Sequence, residues 1–464
     1  MRVLQYSLGL PPFRSGGLTK YSLDLQNSIS LSNSDIVLLF PGKISLTNKR
    51  TRILKRKSSR VTSIFELVNP LPIPLIFGIG STSDYYEDCD LQIYRQFLVS
   101  EEIDVIHCHT LMGLHPSFFR VAQELRIPVL YTTHDYYGLW PEVNILKDID
   151  ESHLLNFITG DISFSSELSK REIYLMQSYT YRLLKTTRIL QKIREMIRGL
   201  KHSNNKKTTK YHYSDIENEY IKNHEKYDCL REYYIENFFN KIDYFLFNSN
   251  ISRDVFLSYL KIDQNKYEVL NVLHSDIVDK RAQLENKNRN RIRGEISILF
   301  FGGNEIYKGL PNLLKCIDEL EPKERERIEL VVIDSNYQRD YIKSIPRFKS
   351  TDLPNILKAI DILIVPSMWY ETFGFGTVEA LSFGIPVITS NYVGSKSFVE
   401  LYDCGWIFNS NDNLKEILRD IISNPNHIQR KSENIMKIDD VAFNFSEHVL
   451  HVEKLYEKLR GGKK

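Results

Sequence analysis

The stretch 361-DILIVPSMWYETFGFGTVEALSFG-384 decides how this chain is read. Asp361–Val365 is an apolar run of strand length, Pro366-Ser367 ends it, and helical spacing begins near Phe375 and runs to Phe383. A loop between a buried strand and a helix lies at the carboxyl edge of an open α/β sheet, where such sheets bind ligands. Gly374 and Gly376 let the backbone approach a ligand closely, and the N–H groups of the helix start favour an anion such as a diphosphate. Glu371 and Glu379 stand eight positions apart, one in the loop and one about a turn inside the helix. Glu379 can reach back to a nucleotide while Glu371 stays at the mouth with a sugar. A carboxylate suits both places because it accepts paired hydrogen bonds from vicinal hydroxyls. Taken alone, the same acids read equally as a solvated loop residue and a helix-start residue favoured by the dipole. It is the strand, Pro-Ser, glycine and helix around them that favour a ligand site.

The rhythm extends in both directions. Upstream in the same half, Ile296–Phe301 and Ile328–Ile333 read as strands and Leu310–Leu320 and Leu353–Ala359 as helices; downstream, Val387–Ser390 reads as a strand and Leu414–Ile422 as a helix. The first half repeats the alternation. Its expected strands are Val3–Ser7, Asp35–Leu39, Val61–Leu67, Asp104–His107, Val129–Thr133 and Asp243–Asn248, with helices at Thr19–Ser30, Pro116–Leu125 and Ser252–Leu260. Alternation of this kind predicts α/β architecture with parallel sheets. At 464 residues two domains are expected. The Lys-, Arg- and Asn-rich run Asp279–Glu295 is the linker candidate, giving a first domain over 1–278 and a second over 279–445.

Composition excludes several classes. The net charge is +2, from 61 basic and 59 acidic residues, which argues against a field built for nucleic acid. Five dispersed cysteines without a CxxC pair read as reduced, buried thiols, neither a disulfide frame nor a zinc site. The opening MRVLQYSLGLPPF lacks the apolar core of a signal peptide, and no apolar run approaches the roughly 20 residues of a membrane-spanning helix. A cytoplasmic location is the expectation.

Other stretches carry chemistry. In 299-LFFGGNEIYKGL-310 a strand meets a Gly-Gly turn, and Lys308-Gly309 opens a helix; a lysine there can neutralise a departing diphosphate, a role a metal would otherwise fill. Gly16-Gly17, in PPFRSGGLTKYSLDL, follows the first strand and opens the next helix, and His134 ends a strand in YTTHDYYG. His107 and His109 in IHCHT have no third ligand near in sequence and read as structural. Asp88 with Asp90, and Asp148 with Asp150, have Asp-x-Asp spacing but follow no apolar strand, so both pairs read as surface acids and no metal is expected.

On these residues the chain resembles the family-four retaining glycosyltransferases, whose signature places two glutamates, separated by seven residues, around a Phe-Gly turn. Here that is Glu371-Thr372-Phe373-Gly374 through Glu379-Ala380-Leu381, then Gly384-Ile385-Pro386-Val387; Gly394-Ser395 and Cys404-Gly405-Trp406 fall where the family has a glycine turn and its last strand. The resemblance covers about 1–135 and 243–460 and implies two Rossmann-like domains facing a cleft (the GT-B type), with a C-terminal helix, 446–464, crossing back to the first domain. It implies that Glu379 holds the ribose hydroxyls and that Glu371, with backbone amides around Phe373, Gly374 and Phe375, holds the donor sugar. It implies that Gly16 and Gly17 face the donor phosphates and that His134 lies beside the sugar. The family has an arginine a few residues before Lys308; this chain has Asn304 near there, so Lys308 is left to hold the phosphates with neutral donors or with a basic residue from elsewhere.

The implied activity is metal-independent transfer of a hexose or deoxyhexose from a nucleoside-diphosphate-sugar to an acceptor hydroxyl, with retention of anomeric configuration. GLPPFRSGGLTKY also resembles enzymes of bacterial surface-polysaccharide and capsule assembly, which points to a lipid-linked saccharide as acceptor at the inner face of the cell membrane. The alternatives are a non-catalytic partner subunit that keeps the fold and acts by binding, favoured by Asn304, and a sugar-phosphate epimerase on the same fold. One segment, about 142–240, breaks the rhythm as a helical insertion. Within it Ile173–Leu200 sets apolar residues at helical spacing beside Arg182, Lys185, Arg188, Lys192, Arg194 and Arg198. It reads either as a solvated helix packed on the first domain or as an amphipathic helix in peripheral contact with an anionic membrane.

Overall fold

The computed structural model describes residues 1–29, 34–45, 47–56, 63–75, 79, 81–139, 170–184, 227–284, 295–302, 306–334, 337–348 and 352–462. Among the described residues fourteen strands build two sheets. The first sheet contains β1 (Arg2–Tyr6), β2 (Asp35–Pro41), β3 (Arg52–Arg56), β4 (Ser63–Val68), β5 (Val105–Cys108), β6 (Val129–Thr133), β7 (Tyr244–Phe247) and β8 (Tyr267–Val269), in the order β3-β4-β2-β1-β5-β6-β7-β8. The second contains β9 (Ile296–Phe300), β10 (Ile328–Ile333), β11 (Ile342–Ile345), β12 (Ile362–Val365), β13 (Val387–Ser390) and β14 (Gly405–Phe408), in the order β11-β10-β9-β12-β13-β14. All pairings are parallel except that of β3 with β4. Central strands such as β5 and β12 are buried at every position, as parallel strands covered on both faces must be.

In both sheets the strand order reverses beside the strand that opens the lobe: β1 lies between β2 and β5, and β9 between β10 and β12. Neighbouring loops splay apart at such a reversal and leave a crevice at the carboxyl edge. The Gly16-Gly17 loop leaves β1, the Lys308 turn leaves β9 and the Glu371 loop leaves β12, so the 361–384 stretch sits at the reversal.

The two carboxyl edges face each other. Ser249 Oγ, just after β7, donates to Thr372 O (2.6 Å), and Thr372 Oγ1 donates to His134 O (3.2 Å). The last helix, Phe445–Gly461, lies on the first lobe: Tyr21 OH meets His448 Nε2 (2.9 Å), Tyr456 OH meets His107 Nδ1 (2.6 Å) and Arg460 pairs with Asp104 (3.3 Å). Where the chain leaves the first lobe and where it returns, buried Arg281 ties the crossings together. Its guanidinium donates to Asp279 Oδ1 and Oδ2 (2.9 and 2.6 Å), to Ile435 O (2.9 Å) and Ile438 O (2.6 Å), and pairs with Asp440, over the Phe443 ring.

Some expectations need correction. Ile173–Leu200 is not one helix over its described part: Lys170–Met176 and Tyr179–Leu184 are separate. The break at Gln177-Ser178 has a local cause. Gln177 is drawn into the first lobe, donating to Ile73 O (3.2 Å) and accepting from Ile44 N (3.1 Å). Ser178 Oγ accepts from Tyr181 N (3.2 Å) and so starts the next turn. The basic residues from Lys185 to Arg198 lie outside the described residues, as do Asp148 and Asp150. All five cysteines are free, but Cys229 is exposed rather than buried.

Candidate functional site

The site is built from a glycine outward. Gly309 has φ +84°, and a Cβ there would stand 1.8 Å from Pro366 O. Only glycine fits, and its absence of side chain lets the turn after β9 press against the end of β12; Met368 N donates to Tyr307 O across the same contact (2.8 Å). Lys308 is thereby delivered to the Glu371 loop. Its Nζ lies 2.8 Å from Glu371 Oε1, while Ser367 Oγ donates to Glu371 Oε2 (2.5 Å). The Glu371 backbone is clamped as well, its N–H to Tyr392 O and its carbonyl to Gly394 N (both 2.9 Å). Trp369 forms a wall beside the cation, with Lys308 Nζ 5.2 Å above its ring.

Glu379 occupies the other end. Its Oε1 accepts from His274 Nε2 (3.1 Å), whereas Oε2 is buried and has no hydrogen-bond partner. Phe375 lies between the two ends of the site, edge-on to His274 (5.0 Å between centroids) and to Phe373 (5.5 Å). Gly374, with φ +92°, turns the chain into the helix Phe375–Leu381, and a Cβ there would stand 2.9 Å from Val393 Cγ1. From the first lobe Gly17 approaches Phe375 closely enough that a Cβ would lie 3.0 Å from its Cε2. Gly16, at φ +122°, faces open space, with nothing within 4 Å of a Cβ.

His134 follows β6, and its carbonyl accepts from Thr372 in the Glu371 loop. Its ring packs against Tyr21 (4.9 Å) and His109 (5.6 Å), and its Nε2 is buried without a partner. Burial, then neighbouring His448, pushes its imidazole down to about 3, so it is neutral at physiological pH. Asp135 beside it is pushed up to about 6, also by burial.

The structure therefore brings Lys308, Glu371, Phe373, Gly374, Phe375 and Glu379 onto one rim, with Gly16, Gly17 and His134 opposite. Asn304 lies outside the described residues. His107 is held by Tyr456 and by Thr132 Oγ1 (2.7 Å). Asp88 accepts from Ser117 N (3.0 Å) and pairs with Arg120, and Asp90 caps the helix Leu91–Ser100. Among the described residues no group of three or more His, Cys, Asp or Glu side chains is arranged to hold a metal ion. Two side chains join the site that the sequence did not single out, Ser367 and His274. Ser367 sat within the quoted stretch and was legible as a neighbour. His274 lies 105 positions from Glu379, and no local pattern marks it.

Comparison with known proteins gives a consistent result. The profile of the family described as "Glycosyl transferases group 1" matches residues 282–437, the half that carries the paired glutamates and Lys308. The spore coat protein SA of Bacillus subtilis strain 168 is 25% identical over 203 residues, covering 39% of this chain and 54% of that protein. The UDP-Gal:alpha-D-GlcNAc-diphosphoundecaprenol alpha-1,3-galactosyltransferase of Escherichia coli is 41% identical over 61 residues, 13% of this chain and 16% of that enzyme. The chain thus spans about half the length of the first of these curated relatives and less of the second. Among solved structures, sucrose-phosphate synthase from Thermosynechococcus elongatus superposes with a TM-score of 0.57 at 15% identity, over 99% of each chain, which speaks for the fold. Residues 282–437 of the second lobe thus match the group 1 glycosyltransferases, and the two facing α/β sheets give the chain the GT-B fold.

Proposed function

We propose that this chain transfers a hexose or deoxyhexose from a nucleoside-diphosphate-sugar to an acceptor hydroxyl, retaining the anomeric configuration and needing no metal. The observation that carries the proposal is the Lys308–Glu371–Ser367 cluster on the same rim as Glu379, whose free Oε2 is suited to accept from a ribose hydroxyl. In this reading Glu379 holds the ribose, Lys308 neutralises the diphosphate and Glu371 accepts from the sugar hydroxyls. Gly16 and Gly17 leave room for the phosphates, and neutral His134 faces the sugar. In the reaction the bond from the anomeric carbon to the phosphate oxygen breaks as the acceptor oxygen bonds to the same face. The acceptor's proton passes to the leaving phosphate oxygen. Lys308 lowers the barrier by stabilising the negative charge that grows on the diphosphate.

For the acceptor we propose a lipid-linked saccharide of surface-polysaccharide synthesis, met at the cytoplasmic face of the membrane. The name of the Escherichia coli relative and the GLPPFRSGGLTKY opening support it. No helix among the described residues is long and apolar enough to cross a membrane, so contact there would be peripheral, through the basic residues of 173–200. Pelleting with anionic vesicles, undiminished after Arg188, Lys192 and Arg194 are all changed to Ser, would remove that contact from the proposal.

The deciding experiment is a thermal-shift screen with UDP, GDP, ADP, dTDP and their sugars. At least one nucleotide is expected to raise the Tm, and Glu379→Gln to abolish the rise. A Tm unmoved by every nucleotide overturns the reading. Turnover should persist in excess chelator; its complete loss would contradict metal independence.

A further inference from the structure

Glu379 is half-buried, and its two oxygens are treated differently. Oε1 accepts from His274 Nε2 at 3.1 Å, and Oε2 has no partner in the protein. Because the acceptor is a carboxylate, Nε2 carries the imidazole proton. The ring that provides it is itself fixed. It is 5% exposed and stands edge-on to Phe375, and the residue after it is anchored by the first lobe: Ser275 N and Oγ both donate to Asp24 Oδ2 (2.8 and 2.7 Å). Lys20 pairs with Asp24 (2.9 Å) and Asp276 (3.1 Å). Lys20 and Asp24 belong to the helix Gly17–Ile29, which begins at the Gly16-Gly17 loop. One chain of contacts therefore runs from the first-lobe glycine loop, through 274–276, to the carboxylate of the second lobe.

We propose that His274 is a positioning residue that sets the ribose selectivity of the site. By holding Oε1 it fixes the plane of the Glu379 carboxylate, so that Oε2 meets the ribose 2′-hydroxyl. This rests on the nucleotide-sugar reading above. It adds a first-lobe residue to nucleotide selection, which the paired-glutamate signature assigns to the second lobe alone.

The test is calorimetric binding of whichever of UDP, GDP and ADP binds most tightly, against its 2′-deoxy analogue. The unaltered protein should prefer the ribose form by about tenfold or more, as expected for a hydrogen bond to a charged group. His274→Ala, and His274→Phe, which keeps a ring against Phe375 without a donor, should bring that preference to within about twofold, with the larger loss on the ribose form. His274→Gln, which restores an N–H donor, should recover it. Should neither donorless variant fold, His274→Asn takes their place, its shorter amide falling short of Glu379. A structural role alone would weaken both nucleotides equally, and an unchanged preference in the donorless variants overturns the proposal. So does an unaltered protein that binds ribose and deoxyribose forms alike. If the unaltered protein binds no nucleotide, the nucleotide-sugar reading itself fails; if it binds and only the preference fails to move, that reading stands and this inference falls.

Discussion

The two lobes are wound alike but filled differently. The second is largely aliphatic: Ile298, Leu313, Ile317, Leu330, Ile362, Ile364 and Ile388 pack around its sheet. The first buries Tyr6, Tyr21, Tyr85, Tyr94, Tyr131, Tyr136, Tyr137 and Tyr234, together with His107, His109 and His115. A buried hydroxyl is costly unless it is paired, and many of these are. Tyr6 donates to Met112 O (2.7 Å), Tyr94 meets His115 Nδ1 (2.9 Å) and Tyr137 meets Tyr234 (2.7 Å). The first lobe is therefore stabilised partly through polar pairs that depend on protonation and on single atoms. In the second, area and dispersion do that work, and the Lys308–Glu371 pair stands at the mouth.

The largest expected effect tests where the chemistry resides. Lys308→Ala should lower transfer by about a thousandfold, roughly 4 kcal/mol of barrier, with the Tm nearly unchanged. His134→Ala, across the cleft, should cost about tenfold. Equal losses in steady-state rates would erase the division of labour between the lobes.

Next comes backbone fit. Gly309→Ala forces a Cβ onto Pro366 O in a left-handed turn and should cost about 3 kcal/mol or more in urea unfolding. Gly16→Ala, strained in φ but free of contacts, should cost about 1 kcal/mol. A Gly309→Ala protein as stable as the parent would show that the Lys308 turn is not held by that contact.

Acid should act through the first lobe. Burial pushes His448 down to about 4 and His134 down to about 3. Unfolded imidazoles take up protons near pH 6.5 while the folded ones do not, so stability is lost as the pH falls below 6.5. Each should remove about 2 kcal/mol by pH 5. His448→Phe, which gives up the Tyr21 bond, should have a lower Tm at pH 7 but a shallower fall towards pH 5. A Tm of the parent that stays level between pH 7 and 5 would contradict the polar character assigned to this lobe.

The smallest effect compares a single atom in each core. Tyr137→Phe leaves the Tyr234 hydroxyl unpaired and should cost about 1 kcal/mol. Ile298→Val in the second lobe should cost a similar amount through lost contact. Chemical denaturation of both, with m-values unchanged, checks the pair.

The same difference explains what was legible in the sequence. Uniform aliphatic runs such as ILIV and IELVVI announced the central strands of the second lobe, and their glycine and glutamate punctuation announced its rim. Three of the four edge strands among the described residues were silent, while β14 was marked through the resemblance at Cys404-Gly405-Trp406. RILKR in β3 and IKSI in β11 are short, lie at sheet edges and carry too few apolar residues to stand out, and β8 has three residues. The helices Leu91–Ser100, Lys396–Tyr402 and Asn426–Ile435 also escaped, because their buried faces are narrow. His274 escaped for a different reason: its meaning lies in a contact between lobes, and a lone histidine in a loop has no periodicity to betray it.

Arg281 has a mechanical consequence. The polypeptide bridges the lobes twice, outward near 279 and back near 440, and one guanidinium pins both bridges at a single place. Two tethers set apart would permit sliding; two tethers fastened together act as a pivot and leave the lobes a rotation about it. Any opening that keeps these bonds would therefore be widest at the lip farthest from Arg281 and would leave the register of the two walls unchanged.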